Sequence, residues 1–94
     1  MTRHTTITVD EDVLVVTTNG LTAAEMGAHV RLLLSASFHG GSLQFEPDRL
    51  ARVVVAVDGE WPAIWQHIQE LWSIEAGVIR PRTPVIIARK ARRP

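Results

Sequence analysis

The stretch Leu21-Thr-Ala-Ala-Glu-Met-Gly-Ala-His-Val-Arg-Leu-Leu-Leu34 decides the fold, because it opens with a complete helix-start signal and ends in an apolar run. Thr22 at the N-cap can accept a hydrogen bond from the amide of Glu25, while the Glu25 side chain can reach back to the amide of Thr22. That reciprocal pair is a capping box, and Leu21 and Met26 stand where a hydrophobic staple would pack. Met26, Val30, Leu33, Leu34 and Ser37 then follow a 3.6-residue stripe, which predicts an amphipathic helix. Gly40-Gly41 supplies its C-terminal cap and turn. Gly27 falls beside Ala23, Val30 and Leu34 and so reads as a small residue on the inward stripe. His29 lies one turn after Glu25, at a spacing suited to a half-exposed i, i+4 pair.

Downstream, Pro47 suits a first helical position and Asp48 the positive end of the helix dipole, predicting a short helix from Pro47 to Val54 or beyond. Leu50, Val53, Val54 and Val57 share one face of it. After the break Asp58-Gly59-Glu60, Pro62 opens a third helix through WPAIWQHIQELW. Its apolar face is Ile64, Trp65, Ile68, Leu71 and Trp72, with Gln66, His67, Gln69 and Glu70 turned outward. Three tryptophans at this spacing read as core, since such rings bury large areas. Ile74 to Ile79 and Val85 to Ala88 read as a terminal hairpin across RPRTP, with Arg80 and Arg82 at its tip. Upstream, Thr5 to Val9 and Val13 to Thr18 flank the acidic Asp10-Glu11-Asp12 and read as a short hairpin or a single strand, closed by the Asn19-Gly20 turn.

The expected fold is therefore α+β: a small winged helix-turn-helix of three helices with a C-terminal β-hairpin wing, and a short N-terminal hairpin or strand. Ninety-four residues fit one domain, with a core over about residues 11–89 and a basic tail over 89–94. Apolar residues make up 46% and charged residues 21%, a globular balance. No apolar run approaches a membrane span, no signal-peptide core opens the chain, and cysteine is absent, so the expected location is the cytoplasm.

The order and spacing of these segments resemble the YdaU-type domain of phage and prophage proteins. The matching positions are Leu21, Thr22, Glu25, Gly27, Ala28, Arg31, Leu32 and Leu33, then Gly40 and Gly41, then Leu50, Ala51 and Arg52, and finally Glu60 and Trp61. The likeness spans roughly Glu11 to Arg89. His29 stands where that family usually has an aromatic residue, and Phe38 near a common tryptophan. The resemblance implies a winged-helix fold and a role near replication initiation in mobile elements, akin to DnaD-like and replisome-organiser proteins. Members of that family commonly continue into a longer C-terminal region.

Catalytic fingerprints are missing: no G-x-S-x-G, P-loop, H-E-x-x-H or dinucleotide motif occurs, so no enzyme and no cofactor is expected. Asp10-Glu11-Asp12 could supply oxygen ligands to a cation but reads as a solvated turn. His4, His29, His39 and His67 lack ligand spacing, so no metal is expected.

Charge is the remaining functional signal. The net charge is zero, yet residues 1–79 hold all ten acidic groups and four arginines, a balance of −6, while the last fifteen hold six cations and no acid. Arg80, Arg82, Arg89, Lys90, Arg92 and Arg93 are thus the candidate DNA-binding residues, holding phosphates with little sequence discrimination. The third helix, which would read bases in a helix-turn-helix, begins with acids and has no lysine or arginine. The expected function is a non-enzymatic DNA-binding accessory protein of a phage or mobile element. The alternative is a winged-helix interaction module that meets a partner protein or a second copy through its acidic third helix or an open strand edge.

Overall fold

The computed structural model describes residues 4–56 and 59–92. In chain order these form strand β1 (His4–Val9), helix α1 (Glu11–Thr17), helix α2 (Ala23–Phe38), strand β2 (Leu43–Gln44), helix α3 (Pro47–Val53), helix α4 (Trp61–Ile68), a single 3-10 turn (Gln69–Leu71), and strands β3 (Trp72–Glu75), β4 (Val78–Pro81) and β5 (Ile86–Arg92). The fold is mixed α and β, with two small antiparallel sheets. One is the ribbon β1-β5; the other has the order β2-β4-β3.

Helix α2 starts as its sequence dictates. The Glu25 amide donates to Thr22 Oγ1 at 3.2 Å, and the Thr22 amide donates to Glu25 Oε1 at 2.9 Å. Its far end closes when Gly41, at φ 102°, donates its amide to the Ala36 carbonyl at 2.7 Å. The buried stripe, however, runs through Glu25, Ala28, His29, Leu32, Leu33 and Ala36. It is rotated from the expected line of Met26, Val30 and Leu34, all only half-buried. Gly27 consequently faces out: it is exposed, and a Cβ built on it meets nothing within 4 Å. The inward place read for Gly27 is overturned, because the buried stripe of α2 runs through other positions.

The expected N-terminal hairpin is also replaced. Asp10-Glu11-Asp12 is no turn between strands but a helix start, with Asp10 Oδ1 accepting from the Val13 amide at 3.1 Å and Glu11 and Asp12 in the first turn. An N-cap aspartate followed by acids near the positive helix end outweighs the β-propensity of Val13, Val15 and Val16 in so short a segment. Val13 and Leu14 pack on the core, while Val15 and Val16 stay exposed.

At the other end the hairpin forms one step earlier than expected. β3 pairs with β4, from Trp72↔Pro81 to Glu75↔Val78, around Ala76 and Gly77 at φ 54° and 74°. Two positive φ values in a two-residue loop suit the twist of a hairpin, a geometry that the sequence Ala-Gly signals less plainly than Asn-Gly. Arg80 is therefore inside β4 and Arg82 follows that strand, so neither stands at a hairpin tip. The basic end is likewise no loose tail up to residue 92: β5 pairs with β1, from Val9↔Ile86 to His4↔Arg92. The unforeseen β2 adds an edge strand to β4 through Leu43↔Ile79 and Gln44↔Val78.

The core gathers Leu32, Leu33, Leu50, Ile64, Ile68 and Ile79 with all three tryptophans. Trp61 stacks on Trp65 with centroids 5.5 Å apart, and Phe45 tilts against Trp65 at 5.3 Å. Gln66, His67, Gln69 and Glu70 are exposed, as their spacing predicts. Among the described residues, no helix is long and apolar enough to cross a membrane.

Because Gly27 is exposed in a helix interior with open space around it, Gly27→Ala should stabilise the fold by up to about 1 kcal/mol through reduced backbone freedom in the unfolded chain. Chemical denaturation of the variant checks this; a lower midpoint would show that Gly27 is a close-packing position after all.

Candidate nucleic-acid interface

Two polar joints fix α2 against α4 and β3, the segment just ahead of the basic residues. The first is buried. Trp72, 1% exposed, donates its indole N–H to Nδ1 of His29, 2% exposed, at 3.0 Å, and the rings meet edge to face with centroids 5.7 Å apart. Accepting at Nδ1 requires a neutral imidazole with its proton on Nε2. Burial lowers the His29 pKa from 6.5 to about 4, because desolvation disfavours the charged ring.

The second joint runs from a buried carboxylate to an exposed ring. Glu25 spends Oε1 on the α2 cap and contacts Nδ1 of His67 on α4 through Oε2. Its pKa is lowered, first by the hydrogen bond from the Thr22 amide and then by that from His67, against an opposing effect of desolvation. The expected His29–Glu25 pair is therefore absent: each residue bonds across to the α4–β3 segment. Spacing along α2 could not show this, since the partners stand 43 and 42 positions away.

Beyond Trp72 the cations follow. Arg80 is exposed in β4 opposite Ser73, whose hydroxyl donates to the Arg80 carbonyl at 3.4 Å. Arg82 is exposed and anchored by its backbone, its amide donating to the Leu71 carbonyl at 2.9 Å. Arg89, Lys90 and Arg92 occupy β5 at the registers of Ile7, Thr6 and His4. Arg93 lies outside the described residues. Arg80 also borders a groove of about 390 Å³ between the C-terminal half of α2 and the β4–β5 connection, lined chiefly by Leu33, Ala36, Pro84, Val85 and Ile87.

The surface a helix-turn-helix would turn toward DNA is different in character. The outward residues of α4 and its 3-10 extension are Pro62, Ala63, Gln66, His67, Gln69 and Glu70, with Glu60 just before them. His67 is engaged by Glu25. The β3–β4 hairpin carries Glu75 next to its Ala76-Gly77 tip and no cation there. Asp10, Glu11 and Asp12 serve the start of α1, and among the described residues no three histidine, aspartate or glutamate side chains come together as a metal site.

Compared with known proteins, the chain matches no family model, no curated protein and no solved structure.

The two joints make stability depend on acid in the same direction. His29 is a base whose folded value lies below its unfolded one, so between pH 6.5 and about 4 the unfolded chain binds the extra proton and stability falls as pH falls. Glu25, lowered in the folded state, contributes stability that is likewise lost as pH drops through its folded value. Urea unfolding should show a loss of roughly 3 kcal/mol attributable to His29 across that window. His29→Gln, which keeps an acceptor for Trp72, should flatten that part of the profile. An unchanged profile in this variant would mean that His29 is not held neutral.

Proposed function

We propose that the protein is a winged-helix DNA-binding accessory factor of a phage or other mobile element, holding backbone phosphates with its basic segment in the cytoplasm of the host. The carrying observation is the placement of the cations: after Glu75 the chain has no acid, and five of its six cations sit in or beside paired strands, Arg80 and Arg82 at β4 and Arg89, Lys90 and Arg92 in β5. Cations borne on ordered backbone lose less freedom on meeting a polyanion than cations on a loose tail.

The winged-helix reading is supported by the order α2-β2-α3-α4-β3-β4, with a short strand between the first two helices joining the terminal hairpin through β4. The YdaU-type likeness rests on the positions from Leu21 to Trp61, and it supplies the replication context. Within this fold the usual reading helix, α4, is a poor DNA ligand. Its exposed face offers Gln66 and Gln69 between acids and adds no lysine or arginine, so recognition through bases is weak and phosphate contact dominates.

That same face favours a second reading, in which α4 docks on a basic partner protein while the cationic strands play no direct part. Salt-dependent titration separates the two. On duplex DNA the wild type should lose affinity steeply with salt, and log K against log salt should flatten by about one unit for each phosphate contact removed. Replacing Arg80, Arg82, Arg89, Lys90, Arg92 and Arg93 with alanine should abolish binding at low salt, whereas the double change Gln66→Ala and Gln69→Ala should leave it intact. Equal affinity of the six-fold variant and the wild type would overturn the proposal; loss of binding on the α4 changes would return recognition to the helix.

A further inference from the structure

Among the described residues, the ribbon β1-β5 has two long open edges of very different chemistry. One belongs to β5, whose residues 89–92 include three cations; the other belongs to β1, which carries no lysine, arginine, aspartate or glutamate from His4 to Val9. On β1's far side no strand is paired among the described residues. Strand edges left open in a monomer are normally blunted by charge, proline, shortness or cover. The β5 edge has that protection. β1 has six residues, five of them β-branched from Thr5 to Val9, and holds no proline and no acidic, lysine or arginine side chain. A ribbon of two strands is also marginal alone and gains from a third and a fourth.

We propose that the free edge of β1 pairs antiparallel with β1 of a second copy of this chain, giving a two-fold symmetric, four-stranded sheet in the order β5-β1-β1-β5. Antiparallel pairing of identical edges is self-complementary, since each alternate residue offers one amide and one carbonyl to the same groups of its mate. The charge pattern selects this edge over its neighbour: β5 against β5 would bring three cations toward three more, whereas β1 against β1 brings none. Nearby apolar exposure fits an occupant of the same kind. Val15 and Val16 on α1, which follows β1 after Asp10 alone, are 66% and 75% exposed. The assembly leaves both β5 strands on the outside of the sheet, and it does not depend on DNA binding.

The absence of cysteine makes the test direct, because any single introduced thiol is unique. Sedimentation equilibrium of the wild type should show a dimer. Single variants Thr5→Cys, Thr6→Cys, Ile7→Cys and Thr8→Cys should form disulfide-linked dimers most readily at one or two adjacent positions, those nearest the two-fold axis, while Ala88→Cys and Lys90→Cys should not. Thr6→Glu places an acid opposite Lys90 within the ribbon, and a dimer would gather two such acids along its shared β1 seam. The variant should keep the wild-type circular-dichroism spectrum while weakening the dimer at least about ten-fold. A monomeric wild type, or a dimer whose cross-links concentrate at the β5 positions, would overturn the proposal.

Discussion

The hydrogen bond from the Trp72 indole to His29 is the constraint on which the rest of the structure depends. It joins the middle of α2 to the residue where the α4 segment turns into strand, and both side chains are almost wholly buried. A tryptophan there contributes a large apolar area, but its N–H must find an acceptor or cost about 1–3 kcal/mol. A histidine can supply one only by staying neutral. The core around this pair, with Leu32, Ile68 and Ile79, therefore suits an imidazole that carries no charge. With Trp72 fixed, β3 leaves the core along a set line, its two-residue turn returns the chain as β4, and Arg80 is set in that strand.

Around this joint the polar groups are economical. Glu25 closes the start of α2 and also ties that helix to α4 through His67, so the surface end of the α2–α4 contact is held by the residue that begins the helix. Asp10 likewise starts α1 and, through its backbone amide, bonds the Val85 carbonyl at 2.8 Å just ahead of β5. The basic strand is thus anchored at its start by the same short segment that ends β1. Arg80 lies in the β3–β4 hairpin and Arg89, Lys90 and Arg92 lie in the β1-β5 ribbon, while the outward face of α4 is left acidic and neutral.

Much of this was legible in the sequence, and the exceptions have identifiable causes. The capping box at Thr22 and Glu25, the Gly40-Gly41 stop, Pro47, and the burial of Trp61, Trp65 and Trp72 follow from local chemistry. Local rules failed where partners are distant. A rotation of about one residue in the stripe of α2 moved Gly27 outward and His29 inward, and only Trp72, 43 positions on, explains why His29 belongs inside. The segment Val13 to Thr17 combined β-branched residues with a strong helix cap, and the cap prevailed. Val85 to Ala88 has strand character whichever strand it joins, so its sequence does not name its partner, which is β1 at the opposite end of the chain. The charge asymmetry was visible from composition, but its mounting on paired strands was not.

Under the proposed function, nucleic acid meets the strands that bear the cations and not α4. The most direct measurement is a backbone amide chemical-shift map recorded while a short duplex is added at low salt. Shifts concentrated on residues 80–92 and on their partners in β1, with Gln66, His67 and Gln69 unmoved, are the result expected. Shifts centred on α4, or none anywhere in the protein at saturating duplex, would contradict the account.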